Sequence, residues 1–164
     1  MTRNHALVGW SILVLLILNG LILQKENHLQ NARPVMIKLA PVDPRSLMQG
    51  DYMALNFEMP VDWETFGRWP DRGTLVMKLD SRGIASFTRF HEGSTPLGTD
   101  EILLGYRKNK SRVAYAADSF FFQEGQREEF AKAKYAELRV TSGGQSLLAE
   151  LRDENLAILG AKRP

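Results

Sequence analysis

The amino-acid sequence predicts a mainly β protein, in which an N-terminal transmembrane helix precedes one barrel- or sandwich-like β domain with one short helix. Three observations support this fold class. The chain of 164 residues begins with a long uncharged apolar run. The remainder holds roughly six to nine short runs rich in β-branched and aromatic residues, separated by turn residues. One helical pattern interrupts them, and the strand–helix alternation of a parallel α/β sheet is missing.

Residues 1–33 are assigned to the membrane anchor. Ala6 to Leu23 is 18 residues long and uncharged, and at about 1.5 Å per residue it spans about 27 Å, close to the thickness of the bilayer hydrocarbon. The alternative is a cleaved signal peptide, which has a shorter apolar region and a small-residue cleavage site. The residues that follow, 24–28, offer no such site. We therefore predict a retained single-pass anchor in the inner (cytoplasmic) membrane, with Pro34 ending its helix.

Flanking charge bears on the orientation of this anchor. Arg3 precedes the span, while Lys25 and Arg33 follow it, so the positive charges are nearly balanced. Because a signal anchor with so short a head usually keeps its N-terminus in the cytoplasm, we predict that the domain of residues 34–164 lies on the periplasmic or extracellular side.

The composition of the domain excludes several classes of protein. Of the 21 basic and 19 acidic residues, three basic and one acidic lie in the first 33, so the domain carries no net charge. A nucleic-acid binder needs a basic surplus to displace counterions, so no nucleic-acid partner is expected. The chain has no cysteine, which excludes disulfides, thiol catalysis and cysteine-ligated zinc.

Two segments predict β-hairpins. Residues 74–79 and 84–90 flank Asp80-Ser81-Arg82-Gly83, and residues 135–140 and 146–151 flank a second turn that contains Gly143 and Gly144. In the second hairpin we expect Leu138 and Val140 to face the core, and Glu137 and Arg139 to face solvent.

The other elements follow from shorter patterns. Further strands are predicted over residues 35–40, 52–59, 101–108, 112–117, 119–123 and 156–160, and three successive phenylalanines at 120–122 suggest a strand buried on both faces. Residues 61–73 are predicted as a loop whose two tryptophans need a surface to bury against. Residues 126–133 are predicted as the one short helix, with acidic residues near its start and lysines near its end.

No constellation of catalytic, metal-binding or cofactor-binding residues is evident. His5, His28 and His91 are far apart in the sequence, and no metal-ligand spacing, phosphate-binding loop, dinucleotide fingerprint or nucleophile elbow is present. We therefore predict no catalytic residues, no metal and no cofactor.

The most informative segment is PVDPRSLMQGDYMALNF, residues 41–57. Gly50, Asp51, Tyr52, Leu55 and Phe57 resemble the motif of the bacterial membrane-anchored GDYxxLxY family. Phe57 replaces the last tyrosine, which keeps an aromatic ring and drops the hydroxyl. The anchor, FFFQEG with its short helix and the YAELRV hairpin are also similar to that family, so the resemblance covers nearly the whole chain. It implies an extracytoplasmic, membrane-anchored protein without an established biochemical activity.

The five motif residues allow two interpretations. In the structural interpretation Gly50 adopts a positive φ or allows a close backbone approach, Asp51 accepts backbone hydrogen bonds that fix a turn, and a strand starts at Tyr52. In the other interpretation the motif lines a surface that binds a partner.

A weaker similarity relates the segment to type I signal peptidases, which also place a membrane anchor before a β-rich domain. Aligning the Gly-Asp pairs puts Val42 where their nucleophilic serine stands, and valine cannot attack a carbonyl. A serine–lysine pair could then form only in a rearranged geometry, from Ser46, Ser111 or Ser119 with Lys38, Lys78 or Lys108. The resemblance implies a shared fold without the catalytic residues.

Together these observations predict a membrane-anchored, extracytoplasmic and non-catalytic module that binds or positions an envelope or membrane-protein partner, such as a multi-pass membrane protein. The alternatives are a membrane-tethered, signal-peptidase-like serine–lysine hydrolase and a carrier or sensor of a small ligand.

Overall fold

The computed structural model describes residues 2–40, 52–58, 61, 63–93, 96–109 and 112–160. The chain divides into two compact units, Met1–Ala32 and Arg33–Pro164. The first is helix α1 (Thr2–Asn31). Within it the segment Leu7–Glu26 contains an 18-residue window with a mean hydropathy of 2.2, so α1 is long and apolar enough to cross a membrane.

Two polar side chains within α1 bond to its own backbone. Ser11 Oγ donates to the Leu7 carbonyl, and Asn19 Nδ2 donates to the Leu15 carbonyl at 2.8 Å. Because each bond is made four residues back along the helix, each of these donors has an acceptor within α1 itself.

The second unit is mainly β, and its described residues form nine strands in three antiparallel groups. The strands are β1 (Arg33–Lys38), β2 (Tyr52–Ala54), β3 (Arg72–Leu79), β4 (Ala85–Phe90), β5 (Glu101–Asn109), β6 (Arg112–Ala114), β7 (Ser119–Phe121), β8 (Tyr135–Val140) and β9 (Ser146–Arg152). Their orders are β1-β8-β9, β2-β7 and β4-β3-β5-β6. The mainly β fold class is thus confirmed, as a curled half-barrel.

Backbone contacts join the three groups around one hydrophobic core. The Met36 amide donates to the Gly83 carbonyl at 2.9 Å, which links β1 to the β3–β4 turn. The Gly105 amide donates to the Gly144 carbonyl at 2.8 Å, which links β5 to the β8–β9 turn. One cluster of buried side chains draws on all three groups; Val35, Leu75, Leu104, Leu138 and Leu151 are among its most buried members.

Both hairpins form where they were predicted. Gly83 and Gly144 adopt φ of 79° and 82°, a conformation that disfavours residues with a Cβ. In the first turn Asp80 Oδ1 accepts hydrogen bonds from the amides of Arg82 and Ile84 at 2.8 and 2.9 Å. Both bonds lower the pKa of the Asp80 carboxyl, and the bond from the Ile84 amide has the largest effect.

Several boundaries differ from those predicted. Helix α1 ends at Asn31, and Pro34 lies inside β1; a proline is tolerated there because β1 is the outer strand of its sheet. The expected loop before β3 contains helix α2 (Trp63–Gly67), and the expected helix over 126–133 is reduced to α3 (Arg127–Phe130). The expected last strand is one bridge between Arg152 and Ile158.

The prediction that Glu137 faces solvent is wrong: the residue is 1% exposed. It lies on β8, the central strand of its sheet, with Met36 of β1 on one side and Glu150 of β9 on the other. Arg152 Nε donates to Glu137 Oε2 at 2.7 Å, and Arg139 Nη2 lies 3.1 Å from Glu137 Oε1. Two guanidinium groups therefore compensate the buried carboxylate.

Candidate functional site

The described part of the motif lies on β2 and the residues that follow it. Gly50 and Asp51 lie outside the described residues, as do Val42, Ser46 and Ser111. Tyr52 is the first residue of β2, as expected. Leu55 and Phe57 follow the strand, and the Leu55 amide donates to the Asp118 carbonyl at 2.9 Å, which extends the pairing with β7.

The side chains of this segment alternate between the core and the surface. Met53, Leu55 and Phe57 are buried, whereas Tyr52 and Ala54 are half-buried. Since successive residues of a strand point to opposite faces, the leucine and the last aromatic of the motif belong to the core. The motif tyrosine lies on the other face.

Phe57 is held between two parts of the domain. Its ring meets that of Tyr115 edge-on, with centroids 5.2 Å apart, and Phe57 forms a backbone bridge with Leu39. Burial raises the pKa of the Tyr115 phenol, because the phenolate would be far from water. The last aromatic of the motif therefore lies in a dry, tightly packed part of the core.

Tyr52 and Phe121 form a pair of aromatic rings at the surface, called here the Tyr52–Phe121 surface. The two residues lie opposite each other in the β2–β7 pairing, and their ring centroids are 5.8 Å apart. Phe121 is 76% exposed. An isolated exposed apolar residue is ordinary, but a large ring this exposed beside a second ring is a common feature of binding surfaces.

The expectation that residues 120–122 are buried on both faces is therefore wrong. Phe120 and Phe122 are half-buried and pack against Phe130 of α3, with centroids 5.2 and 5.0 Å apart. Phe121 lies between them in sequence and so points to the opposite face. Strand alternation was the signal in the sequence that could have identified Phe121.

An apolar groove lies beside the exposed ring and is called here the β7–β9 groove. Its volume is about 470 Å³, and it is lined by Ala116, Ala117, Ser119 to Phe121 and Ser146 to Leu148. None of these lining residues is charged. The sequence did not suggest this groove, because its two sides come from separate parts of the chain.

Two of the three lysines weighed for a serine–lysine pair have other partners, and the third, Lys78, lies on β3. Lys38 Nζ lies 3.0 Å from Glu58 Oε2. Lys108 Nζ donates to the carbonyls of Gly67 and Trp69 at 3.1 and 3.4 Å. Ser119 lies in β7 beside the groove. In the described part of the chain no group of three or more histidine and acidic side chains is placed to hold a metal ion.

The fold and the motif define a class: a mainly β domain that follows one apolar helix and carries a Gly-Asp-Tyr segment leading into a core strand. The family model described as GDYXXLXY protein matches residues 14–151. The chain belongs to this family. No curated protein and no solved structure matches it, and no comparison supports the similarity to signal peptidases.

Proposed function

We propose that this protein is a membrane-anchored, extracytoplasmic and non-catalytic module that binds or positions an envelope or membrane-protein partner. The observation that carries the proposal is the Tyr52–Phe121 surface, where the motif tyrosine packs against a phenylalanine that is 76% exposed. Aromatic side chains dominate the energetic centres of interfaces because they bury a large apolar area with little loss of side-chain entropy.

The absence of catalysis is part of the proposal. It rests on Val42 at the position of the signal-peptidase nucleophile and on the engagement of Lys38 with Glu58. A hydroxyl–amine pair needs a serine and a desolvated lysine within hydrogen-bond reach, and an exposed ammonium paired with a carboxylate is a poor base. Covalent labelling of the folded protein by a fluorophosphonate, abolished by one serine-to-alanine change, would favour the hydrolase instead.

The partner proposal predicts that Phe121→Ser releases the partner. Recovery of a co-purified partner from mild detergent should fall at least tenfold, about 1.4 kcal/mol of binding free energy, while the melting temperature of the protein stays unchanged. Leu97→Ser is the matched control, because Leu97 is also an exposed apolar residue, at 41%. Equal recovery with Phe121→Ser and Leu97→Ser would contradict a role for this surface.

The location is proposed as the inner (cytoplasmic) membrane, with the N-terminus inside and the domain on the periplasmic or extracellular side. Its support is α1, whose 20-residue apolar segment Leu7–Glu26 is long enough to span the bilayer. A C-terminal alkaline phosphatase fusion, which is active only outside the cytoplasm, should be active, and N-terminal sequencing should find α1 retained. A mature chain that begins after Leu23, or an inactive phosphatase fusion, would refute the proposed topology.

A further inference from the structure

The two strands that border the β7–β9 groove each end a sheet. Among the described residues β7 pairs only with β2, whereas β9 pairs with β8 and is bridged on its other side by Ile158, at Arg152. The hydrogen bond from the Leu55 amide to the Asp118 carbonyl fixes which residues of β7 bond to β2. By antiparallel alternation, the amides and carbonyls of Ser119 and Phe121 point away from β2. A free edge of this kind is a template for a further strand.

The lining of the groove defines the chemistry of an occupant. On the β7 side Ala116, Ala117 and Ser119 are small, so a backbone can approach closely, and Phe121 offers a ring beside it. On the β9 side Leu147 and Leu148 supply apolar contacts. Charged residues make up 24% of the chain, yet none lines the groove, so an uncharged segment matches it and a charged one would lose hydration without a counter-charge.

We infer that the β7–β9 groove binds an extended, uncharged segment of a partner protein, which adds as a strand to the free edge of β7. Main-chain hydrogen bonds to Ser119 and Phe121 supply the affinity, and alternate side chains of the segment enter the groove beside Leu147. This inference rests on the proposed partner-binding function and names the kind of segment that is bound. Added in this way, the strand lies next to the exposed ring of Phe121.

The test is a selection of twelve-residue peptides displayed on phage against the full-length protein in mild detergent. Enriched peptides should be uncharged and should alternate apolar with small or polar residues at every second position. In synthetic copies, N-methylation of alternate residues removes half of the amide donors. Methylation of either the odd-numbered or the even-numbered residues should lower the affinity of the peptide at least tenfold. Methylation of the other half should leave the affinity within twofold, because only one edge of an added strand faces β7.

A variant of the groove separates this site from others on the protein. Leu147→Asp places a charge in the groove and should lower peptide affinity at least tenfold, while Leu97→Asp leaves it within twofold; both variants should melt as the unmodified protein does. The inference fails if no peptide is enriched, if enriched peptides have helical spacing, or if both N-methylated sets bind equally. A change in oligomeric mass on Leu147→Asp would show a second copy in the groove and would also overturn it.

The inference and the proposed function can fail separately. If the partner still co-purifies with Phe121→Ser, the proposed role of this surface is wrong, regardless of the peptide affinities. If Phe121→Ser loses the partner but N-methylation has no effect that depends on position, the surface binds its partner without strand addition. The second result would reject the strand and retain the function.

Discussion

Replacing Phe57 with alanine is expected to lower the free energy of unfolding of the β domain by about 3 to 5 kcal/mol, the usual cost of deleting a buried aromatic ring. The ring is 2% exposed and packs edge-on against Tyr115. The backbone on either side is also fixed, since the Ala40 amide donates to the Asn56 carbonyl and the Glu58 amide to the Lys38 carbonyl. The cavity therefore cannot close by a simple shift of the segment.

Urea unfolding of the full chain in mild detergent, followed by near-ultraviolet circular dichroism, measures this loss. The free energy of unfolding of Phe57→Leu should lie between those of Phe57→Ala and the unmodified protein, because leucine keeps part of the apolar volume. Phe121→Ala is the matched control: it removes the same ring from a site that is 76% exposed, and the change should stay within about 0.5 kcal/mol. Equal midpoints for Phe57→Ala and Phe121→Ala would show that the last aromatic of the motif is not part of the core.

The hairpins could be predicted from the sequence because their signals are local. A glycine with positive φ, an aspartate that bonds to the turn and alternating apolar residues all lie within one short segment, as around Asp80 and Gly83. The prediction that a tryptophan of residues 61–73 needs a surface was also correct for Trp69. It is 5% exposed and lies among Phe87, Phe90 and Tyr106.

Other features depend on contacts between distant parts of the chain. Helix α2 has five residues, too few for a helical period to appear in the sequence. Strand alternation separates Phe121 from Phe120 and Phe122, but which of the two faces is exposed depends on packing against Phe130. The β7–β9 groove exists only where two separate sheets end. The candidate site could therefore be predicted as a motif, but its surface could not.

Glu137 gives the clearest case in which a local pattern misleads. Alternation along β8 predicts that Glu137 points away from the core, opposite to Leu138. The burial along β8 does not alternate here, since Ala136, Glu137 and Leu138 are all buried. The outer face of this central strand is covered at Glu137 by Arg139, two residues along β8, and by Arg152 from β9, and the contact with Arg152 has no signature in the local sequence.

The buried carboxylate leads to the second large expected effect. Glu137→Ala should lower the free energy of unfolding by about 3 kcal/mol, because removing one member of a buried ion pair leaves the other uncompensated. Arg152 would keep its hydrogen bond to the Leu156 carbonyl, at 2.7 Å, and its ion pair with Glu150, at 3.4 Å. Its side chain is 20% exposed, so water could not fully replace the lost carboxylate.

Three variants measured by the same urea titration identify the source of that loss. Glu137→Gln should cost less than Glu137→Ala, since the amide oxygen still accepts a hydrogen bond from Arg152 Nε. Glu150→Ala should cost less than about 1 kcal/mol, because the Glu150 side chain is 39% exposed. In a double-mutant cycle, Glu137→Ala with Arg152→Ala should be less destabilising than the sum of the single changes by about 1 to 3 kcal/mol. Additive losses would mean that Glu137 and Arg152 do not stabilise each other, and the assignment of this buried ion pair to the centre of the sheet would be wrong.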